Sequence, residues 1–126
     1  MKLLMHVLKE NKKLKIDNQT IGEISILSKL DEEYKEVVKA VMDYKYNKSL
    51  PNLMEVIRET FDLIQMCILI LWRCDKVAKN DYNYPGLLKD INIEHKDKLI
   101  SRAWIIETGI EIDLRTKGVN VWNLRM

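Results

Sequence analysis

The sequence predicts an all-α fold of the four-helix type, and three observations lead to it. The 126 residues include only 4 glycines and 2 prolines, so few positions favour turns over long helices. Apolar side chains recur at helical spacing along two long segments. Hydrophobic residues make up 47% and charged residues 32%, a balance typical of a soluble, helix-rich protein. The length fits one domain with a modest core and is too short for two.

The first half of the chain divides at polar breaks. Residues 2–14 contain a short amphipathic segment, predicted to be a short helix or a frayed terminus. Asn18 or Thr20 is a candidate N-cap for a helix over about residues 20–46. Residues 47–51 form a predicted loop. Asn52, followed by Glu55, resembles a capping box that opens a second helix, which runs to about residue 79.

The second half is less regular. A loop is predicted at residues 81–86, followed by a helical region over about 87–107 with an interruption near Asn92. The tail, residues 109–126, alternates apolar and polar residues through Ile110, Ile112, Leu114, Val119 and Val121. Residues 116–118 are a possible turn, so the tail is predicted to be a small hairpin or an extended arm.

Each long helix shows an apolar stripe that we expect to form the core. The stripe of the first helix comprises Leu27, Leu30, Tyr34, Val37 and Val41, and that of the second comprises Leu53, Ile57, Phe61, Ile64, Ile68 and Leu71. The second helix also carries Leu63, Met66 and Ile70 away from its stripe. A helix that is apolar all round is buried on every side. One chain has too few helices to surround it, so we expect a second subunit to cover these three residues.

Charge and cysteine content exclude several classes of protein. The net charge of +2 is too small to favour nucleic-acid binding. The longest apolar run, residues 66–72, is far shorter than a membrane span, and no signal peptide is recognisable. Cys67 and Cys74 lie about 10 Å apart along a helix, beyond the reach of a disulfide. They are expected to be small core residues in a reducing cytoplasm.

Two acidic clusters are the most informative feature for function. The first reads Glu32-Glu33-x-x-Glu36, and the second reads Glu59-x-x-Asp62. Residues three apart on a helix are surface neighbours, so each cluster directs its carboxylates to one place. If the two helices face each other, the repulsion among the carboxylates calls for a divalent cation, and Mg²⁺ prefers oxygen ligands. Taken alone, the first cluster is also compatible with an ordinary solvated helix face, whereas the apolar neighbours of the second cluster argue against that interpretation.

The order and spacing of these clusters resemble the E-E-x-x-E, spacer, E-x-x-D signature of the MazG-like all-α nucleoside triphosphate pyrophosphohydrolases. Residues 30–37 match the first motif, residues 59–63 match the second, and Lys98-Leu99-x-x-Arg102 resembles the basic motif on a later helix of that family. The resemblance spans about residues 20–105. One departure is Lys35, where relatives commonly carry glycine.

The resemblance implies a Mg²⁺-dependent enzyme, with Mn²⁺ as a substitute, that cleaves a nucleoside triphosphate to the monophosphate and pyrophosphate. It implies metal ligands at Glu33, Glu36, Glu59 and Asp62. Glu32 is then a further ligand or the base that orients water. The basic pair Lys98 and Arg102 is expected to bind phosphate oxygens, and a solvated basic face is equally compatible with that pair. The expected assembly is a homodimer or a dimer of dimers.

Two other functions remain compatible with the sequence. One is a more specialised member of the same family, which prefers dUTP or dCTP or resembles phosphoribosyl-ATP pyrophosphatase. The other is a non-catalytic helical oligomerisation module whose acidic residues are only surface charge, and Lys35 favours it. No motif in the sequence indicates which nucleobase or sugar is recognised.

Overall fold

The structure is a computed structural model that describes residues 1–114. These residues form two short strands and three α-helices. The elements are β1 (Glu10–Asn11), β2 (Ile16–Asp17), α1 (Glu23–Tyr46), α2 (Leu50–Asp81) and α3 (Leu87–Ser101). The prediction of a mostly helical chain is confirmed, but the three helices of the described part do not by themselves make a four-helix bundle. Val119, Val121 and the possible turn at residues 116–118 lie outside the described residues.

Residues 10–17 form a β-hairpin, so the first of the two alternatives predicted for residues 2–14, a short helix, is wrong. Strands β1 and β2 pair antiparallel, with Glu10 opposite Asp17. Asn18 closes the base of the hairpin, because its backbone N–H donates to the carbonyl of Lys9 at 2.9 Å and its side-chain amide donates to the carbonyl of Leu8 at 2.9 Å. Lys15 has a φ of 57°, in the left-handed region that a tight turn requires.

Two side chains of α2 bind the N-terminal segment to the helices. The amide of Gln65 donates to the carbonyl of His6 at 2.5 Å. The guanidinium of Arg73 donates to the carbonyl of Ile21, next to the start of α1. The N-cap of α1 is Gly22, rather than Asn18 or Thr20.

Ser49 and Asn52 close the turn between α1 and α2. The hydroxyl of Ser49 accepts the backbone N–H of Asn52 at 3.3 Å, which makes Ser49 the N-cap of α2. The side-chain amide of Asn52 donates to the carbonyl of Asn47 at 2.9 Å. The predicted capping box of Asn52 with Glu55 is therefore wrong, since Asn52 already lies in the first turn of α2. A turn this short makes α1 and α2 an antiparallel helical hairpin.

Two stripes of side chains, the inner stripes, face each other across this hairpin. The inner stripe of α1 is Ile26, Leu30, Glu33, Val37, Ala40 and Tyr44, and that of α2 is Asn52, Val56, Glu59, Leu63, Met66, Ile70 and Arg73. All of these residues are buried or half-buried. Their alternating steps of three and four residues keep one face of each helix against the other, as in a coiled coil. A glutamate occupies one position in the middle of each inner stripe.

A second pair of stripes begins one residue later on each helix and is exposed. These outer stripes are Leu27, Tyr34, Val38 and Val41 on α1, and Leu53, Ile57, Ile64, Cys67, Leu71 and Cys74 on α2. One residue corresponds to about 100° of rotation around a helix. Because the helices are antiparallel, both rotations turn toward the same side of the hairpin. The outer stripes therefore make one apolar surface, the outer face.

This arrangement corrects the core assigned from the sequence. Leu27 and Tyr34 are 56% and 57% exposed, and Ile57 is 49% exposed, although the sequence predicts all three to be core. The three residues predicted to contact a second subunit, Leu63, Met66 and Ile70, belong to the inner stripe and face α1. Cys67 and Cys74 are exposed, free thiols rather than core residues. The periodicity reveals apolar stripes but does not say which of them meet within one chain.

The last helix, α3, is peripheral. None of its residues is buried, it continues without a break through Asn92, and it ends at Ser101 rather than near residue 107. The backbone N–H of Tyr84 donates to the carbonyl of Ala78 at 2.8 Å and closes the turn before α3. Among residues 1–114, α3 contacts α2 but not α1. No helix in this part of the chain is long and apolar enough to cross a membrane.

A candidate metal centre

The helical hairpin of α1 and α2 brings together the four carboxylates that the sequence predicts to be metal ligands. Glu33 and Glu36 on α1 and Glu59 and Asp62 on α2 each offer one oxygen, and these four oxygens lie within 4.8 Å of one another. Glu33 and Glu59 belong to the inner stripes. Glu36 and Asp62 each follow three residues later, about 60° around the helix on the side away from the outer face. The cluster therefore opens to solvent on the side opposite the outer face.

Burial is greatest for the two inner glutamates. Glu33 is only 6% exposed. One oxygen of Glu33 and one of Glu59, the Oε2 atom in both cases, are buried, and no residue of the described part donates a hydrogen bond to them. A buried carboxylate oxygen without a donor is costly, because burial removes water and nothing replaces it. These two oxygens are therefore suited to a ligand that supplies positive charge.

The pKa of Glu59 also indicates an excess of negative charge in the cluster. The pKa of Glu59 is raised to about 7, chiefly because its carboxyl shares a hydrogen bond with Glu36. Burial and the negative charges of Glu36, Asp62 and Glu55 raise the pKa of Glu59 further. Two ionised carboxylates have no hydrogen to share, so this bond exists only when one of the pair is protonated. A proton shared by the pair would offset negative charge in the cluster, as a bound cation would.

Glu32 lies outside this group of four. Its Oε1 atom is 3.3 Å from the ammonium of Lys29, and its side chain is 57% exposed. The same ammonium lies 3.0 Å from Oε1 of Glu33. The hydrogen bond to Glu33 is the main cause of the raised pKa of Lys29. Glu32 is thus beside the cluster, on its open side, rather than among the four converging oxygens.

The basic pair predicted to bind phosphate is not among the four residues that converge, and its role stays a prediction. Lys98 and Arg102 are exposed, and they lie in and just after α3, a helix that does not contact α1 within residues 1–114. Among the described residues, the cation that contacts the cluster is Lys29. The sequence contains a signal for it, because Lys29 precedes Glu32 by three residues and Glu33 by four, the two spacings that make ion pairs on a helix.

The four carboxylates fit the geometry of a hard divalent cation. Around an octahedral Mg²⁺, with bonds of about 2.1 Å, adjacent oxygens are about 3 Å apart and opposite oxygens about 4.2 Å apart. The observed limit of 4.8 Å is about 0.6 Å above the separation of opposite ligands. A donor set made only of carboxylate oxygens suits Mg²⁺ and Mn²⁺ and lacks the nitrogen and sulfur ligands that favour softer metals.

Comparisons of the chain with models of protein families, with curated proteins and with solved structures find no match.

Proposed function

We propose that this protein is a Mg²⁺-dependent nucleoside triphosphate pyrophosphohydrolase, as its resemblance to the MazG-like enzymes implies. The observation that supports the proposal is the convergence of Glu33, Glu36, Glu59 and Asp62 within 4.8 Å, with two buried oxygens left without hydrogen-bond donors. A solvated helix face does not bury its carboxylates in this way.

In this proposal four carboxylates bind the metal and a fifth accepts a proton from water. When bound, the metal neutralises phosphate charge and makes water more acidic. Glu33, Glu36, Glu59 and Asp62 hold that charge at a fixed place between the two helices. Glu32, which is exposed beside the cluster, acts as the base. It accepts one proton of a water molecule as the oxygen of that water bonds to the α phosphorus. The bond from the α phosphorus to the bridging oxygen breaks, and pyrophosphate leaves in line.

Assembly is part of the proposal, since the helical hairpin supplies two of the helices of a four-helix bundle. Two outer faces packed together would complete the bundle from two chains. This arrangement leaves the carboxylate cluster of each chain on the side away from the new interface. A dimer of dimers would require a second interface elsewhere on the surface.

A panel of nucleoside triphosphates tests the activity. Each compound is incubated with the protein and Mg²⁺, and the release of pyrophosphate rather than orthophosphate is measured. Pyrophosphate from at least one of them, dependent on Mg²⁺ or Mn²⁺, is the expected result. A panel that includes dUTP, dCTP and phosphoribosyl-ATP also distinguishes the specialised alternatives from a broader enzyme.

A non-catalytic helical oligomer is the second candidate, because the exposed outer face favours assembly whether or not the chain is an enzyme. Metal titration separates the two functions. The enzyme is expected to melt at a higher temperature in millimolar Mn²⁺, because a ligand of the native state stabilises it by mass action. At a hundredfold excess over the dissociation constant the stabilisation is about 2.7 kcal/mol. An unchanged melting temperature in protein verified to be metal-free at the start would support the oligomer and reject the metal centre.

A further inference from the structure

We propose that Lys29 is the residue that binds the phosphate chain of the substrate, the role that the sequence assigns to Lys98 and Arg102. This inference rests on the proposed function, because it places a triphosphate at the carboxylate cluster. It differs from the sequence-based expectation in taking the cation from α1 rather than from α3.

The position of Lys29 is the first argument. Its ammonium lies 3.0 Å from Oε1 of Glu33 and 3.3 Å from Oε1 of Glu32. Among residues 1–114 it is the one basic side chain that forms an ion pair with a member of the carboxylate cluster. On an ideal helix Lys29, Glu32, Glu33 and Glu36 fall within an arc of about 100°. Lys29 therefore stands at the edge of the cluster, on the side where Glu36 and Asp62 reach solvent.

The second argument is that the two carboxylate oxygens of Glu33 have different surroundings. Lys29 contacts Oε1 of Glu33, while Oε2 is buried and lacks a donor within the described part. One oxygen thus faces the ammonium and the other is left for a metal ion. An ammonium has three N–H donors, and the two glutamates occupy two of them. The third is available to an acceptor on the open side of the cluster.

Charge is the third argument. A triphosphate held by four carboxylates and divalent cations still has phosphate oxygens that no metal reaches, and hydrogen bonds from an ammonium to such oxygens are charge-assisted. The side chain of Lys29 is 50% exposed, so it can reach a ligand without leaving its helix position. Neither Lys98 nor Arg102 forms an ion pair with these carboxylates in the described part, where α3 contacts α2 but not α1.

If Lys29 binds phosphate, removing its charge should affect the affinity for Mn²⁺ and the affinity for a phosphate chain differently. Removing the Lys29 charge takes a positive group away from a cation site, so the affinity for Mn²⁺ alone is expected to stay the same or to increase. The affinity for a phosphate chain bound with Mn²⁺ is expected to fall by roughly tenfold or more, the effect of losing one charged hydrogen bond. A lysine that only holds Glu33 in place would instead weaken both ligands together.

The experiment uses the full chain with Mn²⁺ and inorganic tripolyphosphate, which needs no knowledge of the nucleobase. Calorimetry gives the affinity for Mn²⁺ alone and then for tripolyphosphate in saturating Mn²⁺. The variants are Lys29→Met, Lys29→Gln and Lys29→Arg. Glutamine still donates a hydrogen bond to Glu33 but carries no charge, so it serves if the methionine variant fails to fold. Arginine keeps the charge and is expected to retain most of the tripolyphosphate affinity.

Lys35→Met is the matched control. Lys35 lies on the same helix and pairs with Asp31 at 2.8 Å, outside the cluster, so its removal changes the net charge equally. Tripolyphosphate affinity that falls for Lys29→Gln and Lys29→Met, but not for Lys35→Met, supports the inference. Equal tripolyphosphate affinity in all variants overturns it, and so does a parallel loss of Mn²⁺ affinity; both results leave the proposed function standing. Unmodified protein that binds neither Mn²⁺ nor tripolyphosphate overturns the proposed function, and this inference with it.

Discussion

Glu33 and Glu59 occupy positions in the inner stripes where an apolar side chain would pack without cost. Each has a buried oxygen with no hydrogen-bond donor in the described part of the chain. Burying an unpaired polar group typically costs a few kcal/mol. Such residues survive where function requires them, and we infer that the hairpin accepts this destabilisation in order to hold a cation.

Neutralising one ligand at a time tests that inference through activity. Glu36→Gln, Glu59→Gln and Asp62→Asn are each expected to reduce pyrophosphate release at least a hundredfold, because all four oxygens converge on one place. The helical circular dichroism spectrum should persist, since amide groups of the same shape relieve repulsion instead of removing packing. Asp43→Asn is a suitable control, because Asp43 pairs with Lys39 on the same hairpin, outside the cluster. A variant that keeps most of the activity would remove its residue from the site.

The raised pKa of Glu59 predicts how stability depends on pH in metal-free protein. In the folded state the pKa of the Glu59 carboxyl is about 7, whereas its ordinary pKa is 4.5. A group whose pKa is raised by folding stabilises the protein fully below the unfolded pKa, and this stabilisation is lost as the pH rises through the folded pKa. The melting temperature of the unmodified protein should therefore fall, relative to that of Glu59→Gln, between about pH 4.5 and pH 7.

Saturating Mn²⁺ provides the control for this effect. Once the cation replaces the shared proton, the unmodified protein should no longer lose stability across that range of pH. If the difference between the two metal-free proteins is constant from pH 4.5 to pH 7.5, Glu59 does not hold the proton.

The spacing of the acidic residues is enough to predict which carboxylates come together. Glu33 and Glu36, like Glu59 and Asp62, are three residues apart, and that spacing alone places each pair on one helix face. The position of Lys29 follows from the same rule, because it precedes two of the glutamates by three and four residues. The placement of Lys98 and Arg102 does not, because how α3 packs depends on a turn and on contacts that no local spacing encodes.

At the scale of the helices, the sequence leaves one question open that decides the whole assembly. Leu53, Ile57 and Ile64 form as regular an apolar stripe as Leu63, Met66 and Ile70, and the two stripes differ by one residue of phase. From the sequence, Glu59 and the apolar residues around it predict a contact with a second subunit. In the structure this stripe faces α1 instead, where Glu59 lies beside the glutamates of that helix. Periodicity alone does not say which of two apolar stripes packs within the chain.

The two stripes are expected to respond differently to a buried charge. Met66→Lys places an ammonium in the inner stripe, so it should unfold the hairpin or lower its melting temperature sharply. Ile64→Lys places the same group on the outer face, so it should leave a folded, helical monomer. Circular dichroism and sedimentation velocity measure the two outcomes, with Asn80→Lys on an exposed turn of α2 as the control. If Met66→Lys yields a folded monomer and Ile64→Lys yields an unchanged assembly, the inner and outer faces are exchanged.

At the scale of the molecule, the accessible surface is larger than that of a compact monomer of the same mass. The accessible surface is 10960 Å², whereas a compact monomer with a mass of 14.9 kDa exposes about 7000 Å². No large side chain of the described part is fully buried, and five hydrophobic residues make up the core. A core this small gives little stabilisation from burial, and burying the outer face against a second copy would add to it.

The outer face has the dimensions that a second copy needs. Helix α1 has 24 residues and is about 36 Å long, and two packed helices are about 20 Å wide. One outer face is therefore about 700 Å², and pairing two copies would bury about 1400 Å², within the range of specific interfaces. Pairing about a twofold axis would bring identical stripes together and close the bundle.

The last prediction is that the unmodified protein is a dimer or a dimer of dimers at micromolar concentration, with a melting temperature that rises with protein concentration. The physical reason is that unfolding of an obligate dimer includes dissociation, so mass action links stability to concentration. Sedimentation equilibrium gives the mass, and the melting curve repeated over a hundredfold range of concentration gives the linkage. A stable monomer at micromolar concentration would contradict the outer face as an interface. It would leave the carboxylate cluster intact, because all four of its side chains come from one hairpin.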